Sequence, residues 1–338
     1  MRVYMRANSR RVGKRAREPE REASMFKHIP VWPFYILFVV FAAMYIVFRY
    51  TGPILFVTLI LIIAVEVINS LKRSTWKRNL LELSAIVIAV ALIWVALIAA
   101  TGSTAPVDVV PSCSMLPTLH IGDLILIRNS GIDSIKATVV NITKPQLESF
   151  LNQVSTGAYE CVAFSPSNPS NISQYVLPGY SVGLYSYSYS TGRAELNPSQ
   201  NGDTVRFNCG TAEIRYSNGT TAYEAYTRSI TVNNETINGS MNNSIVVYKT
   251  VPSDLFYRDG DAYIVHRAYA ILNASGEYYV LTKGDNNPGL DVQYNNVPPN
   301  YSQVEGRVIL TIPYIGYVKI LLDGSSSGAG CNQVFVNG

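Results

Sequence analysis

The sequence predicts a mainly β domain, preceded by three transmembrane helices that hold it at the outer face of a membrane. Two patterns carry this expectation. Nearly all the long apolar runs fall within the first hundred of the 338 residues, and the middle of the chain is rich in Tyr, Ser, Asn, Gly and Thr with apolar residues in short alternation, as in Ala212-Glu213-Ile214-Arg215-Tyr216. Alternation with a period of two is the signature of half-buried strands, whereas a long run without charges is that of a bilayer span.

Residues 1–28 carry nine Arg or Lys against Glu18, Glu20 and Glu22, with no apolar run among them, and read as a solvated basic tail. Spans follow at about 29–48, 53–71 and 80–102. Each is close to the roughly 20 residues that a helix needs to cross the hydrocarbon core. Glu66 lies near the far end of the second run, where it reads as an interfacial acid beside the basic stretch Lys72 to Arg78. Positive residues favour the cytoplasmic side, so the amino terminus and the basic loop are expected inside and residues 103–323 outside. Eight Asn-x-Ser/Thr sequons, beginning at Asn141, Asn171, Asn218, Asn234, Asn238, Asn242, Asn273 and Asn300, all lie beyond the third run and fit an outward glycoprotein domain. The remaining residues, 324–338, form a Gly/Ser-rich tail.

A net charge of +4 that comes from the amino terminus, without finger motifs or aromatic-basic interleaving, argues against nucleic acid as a partner. The four cysteines and three histidines show no metal-ligand spacing, so neither metal nor cofactor is expected. Cys113 reads as a small packed residue. Cys161 and Cys209 share one strand-rich region, where a disulfide between them and two unpaired core residues are both open.

The chemistry concentrates in Ser112-Cys113-Ser114-Met115-Leu116-Pro117-Thr118, a stiff turn between the apolar pieces Val109-Val110 and Leu124 to Ile127. Prolines at 111 and 117 exclude a regular helix or a central strand there. A serine hydroxyl becomes an effective nucleophile only when a base takes its proton, and the candidate base is His266 in Ile264-Val265-His266-Arg267. His120 and Lys283 are rival bases. Asp123, Asp261 and Gly122 read as turn formers.

The first of these boxes resembles the Ser-x-Ser-Met-x-Pro-Thr motif of the type I signal peptidases. The second is similar to the Ile-Val-His-Arg motif of their archaeal and endoplasmic-reticulum branch, where histidine takes the place of the bacterial lysine. Asp285 and Asp291, six residues apart, also match that branch. The resemblance covers about 105–129 and 260–318. It implies a signal peptidase-like β core and a serine endopeptidase in an archaeal plasma membrane that removes signal peptides from secretory preproteins, in contact with membrane lipid and the secretion translocon. It further implies Ser114 as nucleophile, His266 as general base, Asp291 or Asp285 as the carboxylate behind the imidazole, and Ser112 with the Ser114 N–H as the oxyanion hole. Met115 is expected beside the substrate. A stretch of about 129–258 is longer than the family's usual spacing and reads as a strand-rich insertion. Two alternatives stay open: a same-fold protease acting on another surface-protein precursor, and an inactive extracytoplasmic binding domain.

Overall fold

The computed structural model describes residues 30–73, 76–323 and 331–336. The basic tail expected over residues 1–28 lies outside the described residues.

Three helices come first, α1 (Trp32–Val47), α2 (Gly52–Arg73) and α3 (Trp76–Thr101). Many of their Val, Ile and Leu side chains, such as Ile46, Val87 and Leu92, are exposed, while Ile62 and Val65 of α2 are buried. Helices that are apolar all round suit a lipid environment or a protein core. Two stretches, Arg49–Asn69 and Leu80–Thr101, are long and apolar enough to cross a bilayer, whereas Trp32–Val47 is shorter, so by length the described helices supply two of the three expected spans. Tyr35 on α1 donates a hydrogen bond to the Glu66 carboxylate on α2, which gives that acid a partner within the helix pair.

The remaining described residues form three sheets. In order it contains β1 (Val107–Val109), β2 (Leu124–Arg128), β3 (Thr138–Asn141), α4 (Lys144–Thr156), β4 (Gly157–Ser165), β5 (Asn168–Ser173), β6 (Ser181–Ser188) and β7 (Ala194–Leu196). There follow β8 (Val205–Tyr216), β9 (Thr221–Val232), β10 (Glu235–Asn238), β11 (Ile245–Lys249), α5 (Leu255–Arg258), β12 (Tyr263–Ala274), β13 (Glu277–Lys283), β14 (Val304–Ile312), α6 (Tyr317–Asp323) and β15 (Gln333–Phe335). The largest sheet runs β1-β2-β14-β11-β12-β13, with β3 added parallel to β12. Two four-stranded sheets, β10-β9-β8-β15 and β5-β4-β6-β7, come from the region expected as an insertion except for β15, which belongs to the stretch expected as a Gly/Ser-rich tail; residues 324–330 and 337–338 of that stretch lie outside the described residues. The mainly β expectation holds.

Two features of that region depart from a purely inserted β cap. β3 and β11 lie in the large sheet, so the span 129–258 also supplies strands to the core. The region also contains a helix, α4, that alternation did not predict. Its start is a reciprocal capping box in which Thr143 accepts from the Gln146 N–H while the Gln146 side chain accepts from the Thr143 N–H. Leu147, Phe150 and Val154 then recur at helical spacing and are buried against β12 and the inserted strands.

Both disulfides in the structure join distant segments. Cys161 pairs with Cys209, as one of the two readings of those cysteines anticipated. Cys113 is buried, as the sequence suggested, and is also bonded to Cys331, a pairing the sequence did not suggest.

Candidate active site

The loop between β1 and β2 is anchored from below. Val110, Met115 and Leu119 pack with Ile125 and Ile127 of β2 and Val247 of β11 in one buried cluster. The Leu119 N–H bonds to the Met115 carbonyl and the Gly122 N–H to the Val110 carbonyl, which close the loop on itself. With Met115 directed down and only 1% exposed, its neighbour Ser114 is turned up towards β12. Met115 thus lies under the loop and contributes to the floor of the cleft.

On β12 the register with β11 sets His266 opposite Val246 and faces the imidazole towards that loop. His266 Nε2 lies 3.0 Å from Ser114 Oγ, and Nδ1 lies 2.7 Å from Asp291 Oδ2. The ring of Phe256 meets the imidazole edge-on at 5.9 Å between centroids. Asp291, just after β13, is 2% exposed. Its Oδ2 also accepts from Thr282 Oγ1 at 2.7 Å and from the Tyr248 hydroxyl at 3.0 Å, while its Oδ1 is buried with no hydrogen-bond partner among the described residues. Burial, with the negative charge of Asp291 beside it, holds the Tyr248 phenol well above its ordinary range, so it stays a donor.

Asp285 does something different. Its two oxygens take a bidentate pair from Arg267, Nε and Nη2 each at 2.7 Å, and Oδ2 also accepts from Thr118 Oγ1 at 2.6 Å. The remaining Arg267 nitrogen, Nη1, donates to the Met241 and Asn243 carbonyls. The two aspartates of the sequence motif therefore divide: Asp291 meets the imidazole, and Asp285 ties β12 to the far end of the serine loop. Backbone completes the fit. Asn286 N–H donates to the Ser114 carbonyl at 2.7 Å, and a Cβ on Gly284 would stand 2.7 Å from the same oxygen. Only glycine allows that approach.

Ser112 Oγ is 3.2 Å from Ser114 Oγ. Both hydroxyls open on a cleft of about 390 Å³ with walls from β1, including Val109, and from β12, including Ile264 and Val265. Asp261 at its rim has its carboxyl pushed up by burial. The rival bases lie elsewhere. The His120 ring is exposed beside Asp123 and Tyr314. Lys283 directs its amine to the Gly284 carbonyl and over the Phe335 ring; burial lowers its pKa to about 8, against the opposing pull of Asp285 and Asp291.

Sequence reasoning assigned no role to Tyr248, Thr282, Asn286 or Thr118, although Thr118 closes the serine box. Arg267 stood within the quoted histidine box and could have been noticed as the partner of a buried acid. Nothing around Tyr248 distinguishes it before strand pairing is known.

A hydroxyl, an imidazole and a carboxylate in line, with a second hydroxyl alongside and a cleft open to solvent, define the geometry of the Ser-His-Asp hydrolases. No family model matches the chain. It is 40% identical over 62 residues to the signal peptidase complex catalytic subunit SEC11 of Colletotrichum graminicola, which covers 18% of this chain and 36% of that protein. It is 38% identical over 68 residues to SEC11 of Verticillium alfalfae, covering 19% and 40%. The matches therefore span well under half the length of these relatives. They support the resemblance to the type I signal peptidases, in the endoplasmic-reticulum branch. Both relatives are fungal and lend no support to an archaeal source or to glycosylation.

Proposed function

We propose that the protein is a membrane-anchored serine endopeptidase that cleaves signal peptides from secretory preproteins. The observation that carries this reading is the line from Ser114 Oγ through the His266 ring to Asp291 Oδ2, with contacts of 3.0 and 2.7 Å. Ser114 attacks the scissile carbonyl carbon while its proton passes to His266 Nε2. Asp291 holds the Nδ1–H tautomer and balances the imidazolium that forms. The oxyanion is received by the Ser114 N–H and the Ser112 hydroxyl. His266 then returns the proton to the departing amine. Water, deprotonated by the same ring, releases the acyl group from Ser114.

The apolar stretches over Arg49–Asn69 and Leu80–Thr101, with a further short apolar helix before them, support membrane anchorage. Ser114 follows Thr101 by thirteen residues (114 − 101), which even fully extended reach only about 40 Å. A substrate still tethered in the bilayer can therefore reach it. With the short helix Trp32–Val47 crossing as well as the two longer stretches, the amino terminus is cytoplasmic and the β domain extracytoplasmic, in an endomembrane or plasma membrane. The resemblance implies small side chains before the cut, and the cleft between β1 and β12 is where the substrate chain would lie. The relatives are named as subunits of a complex, and association with the translocation machinery follows as part of the proposal.

The test is incubation of the detergent-solubilised full chain with a preprotein bearing an Ala-x-Ala site. Release of mature product by the protein but not by Ser114→Ala is expected. If neither or both release it, the assignment is wrong.

A further inference from the structure

Six residues near the carboxy-terminal end of the chain converge on the nucleophile's loop, and neither the hydrolytic chemistry nor the family resemblance accounts for them. β15 is paired antiparallel with the inserted strand β8, Gln333 opposite Tyr216 and Phe335 opposite Ile214. The pairing is extended on both sides, by Ser217 N–H to the Asn332 carbonyl and by Val336 N–H to the Glu213 carbonyl. Phe335, 4% exposed, is buried with Ala212 and Ile214. This strand is fastened to the catalytic core twice. Cys331 is bonded to Cys113, the residue between Ser112 and Ser114. The Asn286 side chain clasps the strand's backbone from both sides of Val334, donating from Nδ2 to the Gln333 carbonyl at 3.0 Å and accepting at Oδ1 from the Phe335 N–H at 3.1 Å. Asn286 is 9% exposed. Its own N–H is the donor that holds the Ser114 carbonyl.

One residue thus grips the terminal strand with its side chain and the nucleophile with its backbone, while a covalent bond grips the same strand from the other side of the nucleophile. We propose that Asn286 and the Cys113–Cys331 disulfide are positioning residues: they clamp the serine loop to a strand carried by the inserted sheet and so fix Ser114 Oγ against His266. The inserted sheet is then a rigid external brace for the nucleophile. The inference rests on the proposed role of Ser114, and it makes turnover sensitive to disulfide reduction. The hydrogen bond between His266 and Asp291 is not part of the clamp, so loss of the clamp displaces the nucleophile and leaves that pair in place. A displacement on the order of 1 Å at a reacting atom lowers turnover by on the order of 10²-fold.

The experiment uses the full chain and the variants Cys331→Ser, Asn286→Ala and Asn286→Asp, which keeps the acceptor and loses the donor to Gln333. Two readouts are taken: kcat and KM on the Ala-x-Ala preprotein across pH, and hydrogen exchange of peptides covering 112–119, 264–268 and 280–292. Expected is a fall in kcat of about 10- to 100-fold for Cys331→Ser and Asn286→Ala, less for Asn286→Asp, with KM within about twofold and an unshifted pH profile. Exchange over 112–119 should rise at least about tenfold, with 264–268 unchanged. If kcat and loop exchange both match the unaltered protein in Cys331→Ser and Asn286→Ala, the clamp does not exist. A loss of protection across all three peptides would mean general unfolding and would equally overturn a local role. Should the unaltered protein fail to cleave the preprotein, the peptidase reading falls, and the exchange data alone still decide whether the clamp holds the loop.

Discussion

Replacing Asp291 with asparagine separates the two carboxylates that the sequence left as alternatives. The exchange is nearly isosteric, and the Thr282 and Tyr248 donors that now meet Oδ2 at 2.7 and 3.0 Å would keep the amide oxygen in that place. His266 Nδ1 therefore still finds an acceptor, while the new amide NH2 falls where Oδ1 is buried without a partner, so a stability loss of about 1–3 kcal/mol is expected. What disappears is the negative charge 2.7 Å from the ring, in a site where Asp291 is 2% and His266 4% exposed. With so little water to screen it, an imidazolium formed during attack has no counter-charge. In a Ser-His-Asp protease the same exchange lowers kcat about 10⁴-fold, about 5 kcal/mol of barrier, an effect that includes the imidazole's taking the wrong tautomer. The expected result is a loss of kcat of that order with KM nearly unchanged, read from initial rates on the purified preprotein. Asp285→Asn should behave oppositely. It breaks a bidentate pair with an Arg267 side chain that is only 9% exposed, so the first effect is on stability, about 3–5 kcal/mol in denaturant unfolding. If Asp291→Asn turns over within tenfold of the unaltered protein, Asp291 is not the counter-charge and the proposed mechanism is wrong.

Other expectations follow from the same geometry. Ser112→Ala should lower kcat about 10²- to 10³-fold without abolishing it, the usual effect of losing one oxyanion donor; an unaltered kcat would remove Ser112 from that role. Met115→Ala should cost about 2–5 kcal/mol of stability because the side chain fills the cluster under the loop, which chemical denaturation would measure. Lys283 gives a pH signature. Its amine loses its proton near pH 8 when folded but near 10.5 when unfolded, so between these values the unfolded chain binds more protons and stability rises with pH. Lys283→Met should flatten the rise in Tm across that window, and an unchanged slope would show that the amine is not desolvated.

Much of the chain's organisation was legible because it depends on composition or on neighbours in sequence. Helices α2 and α3 follow from uninterrupted apolar runs, since a residue's partition between water and lipid needs no tertiary partner. The β character followed from alternation, and the serine loop from its prolines. The helix α4 was legible and missed: Thr143 and Gln146 form its capping box at the expected spacing, within a region otherwise dominated by strand patterning.

The sequence by itself thus determined the apolar helices, the mainly β domain, and the residue types from which a nucleophile, a base and an acid could be drawn. Tertiary structure decided which of those groups meet. Ser114 and His266 are 152 positions apart, and Asp291 lies 25 beyond His266, yet a bond of 2.7 or 3.0 Å leaves no latitude for a different strand register. Slipping β12 by one residue would turn the imidazole to the opposite face. The division of labour between Asp285 and Asp291, the presence of Tyr248 behind the acid, and the bond from Cys113 to Cys331 all depend on pairing between distant strands. No local pattern encodes those pairings, because they are selected by the packing of the whole sheet.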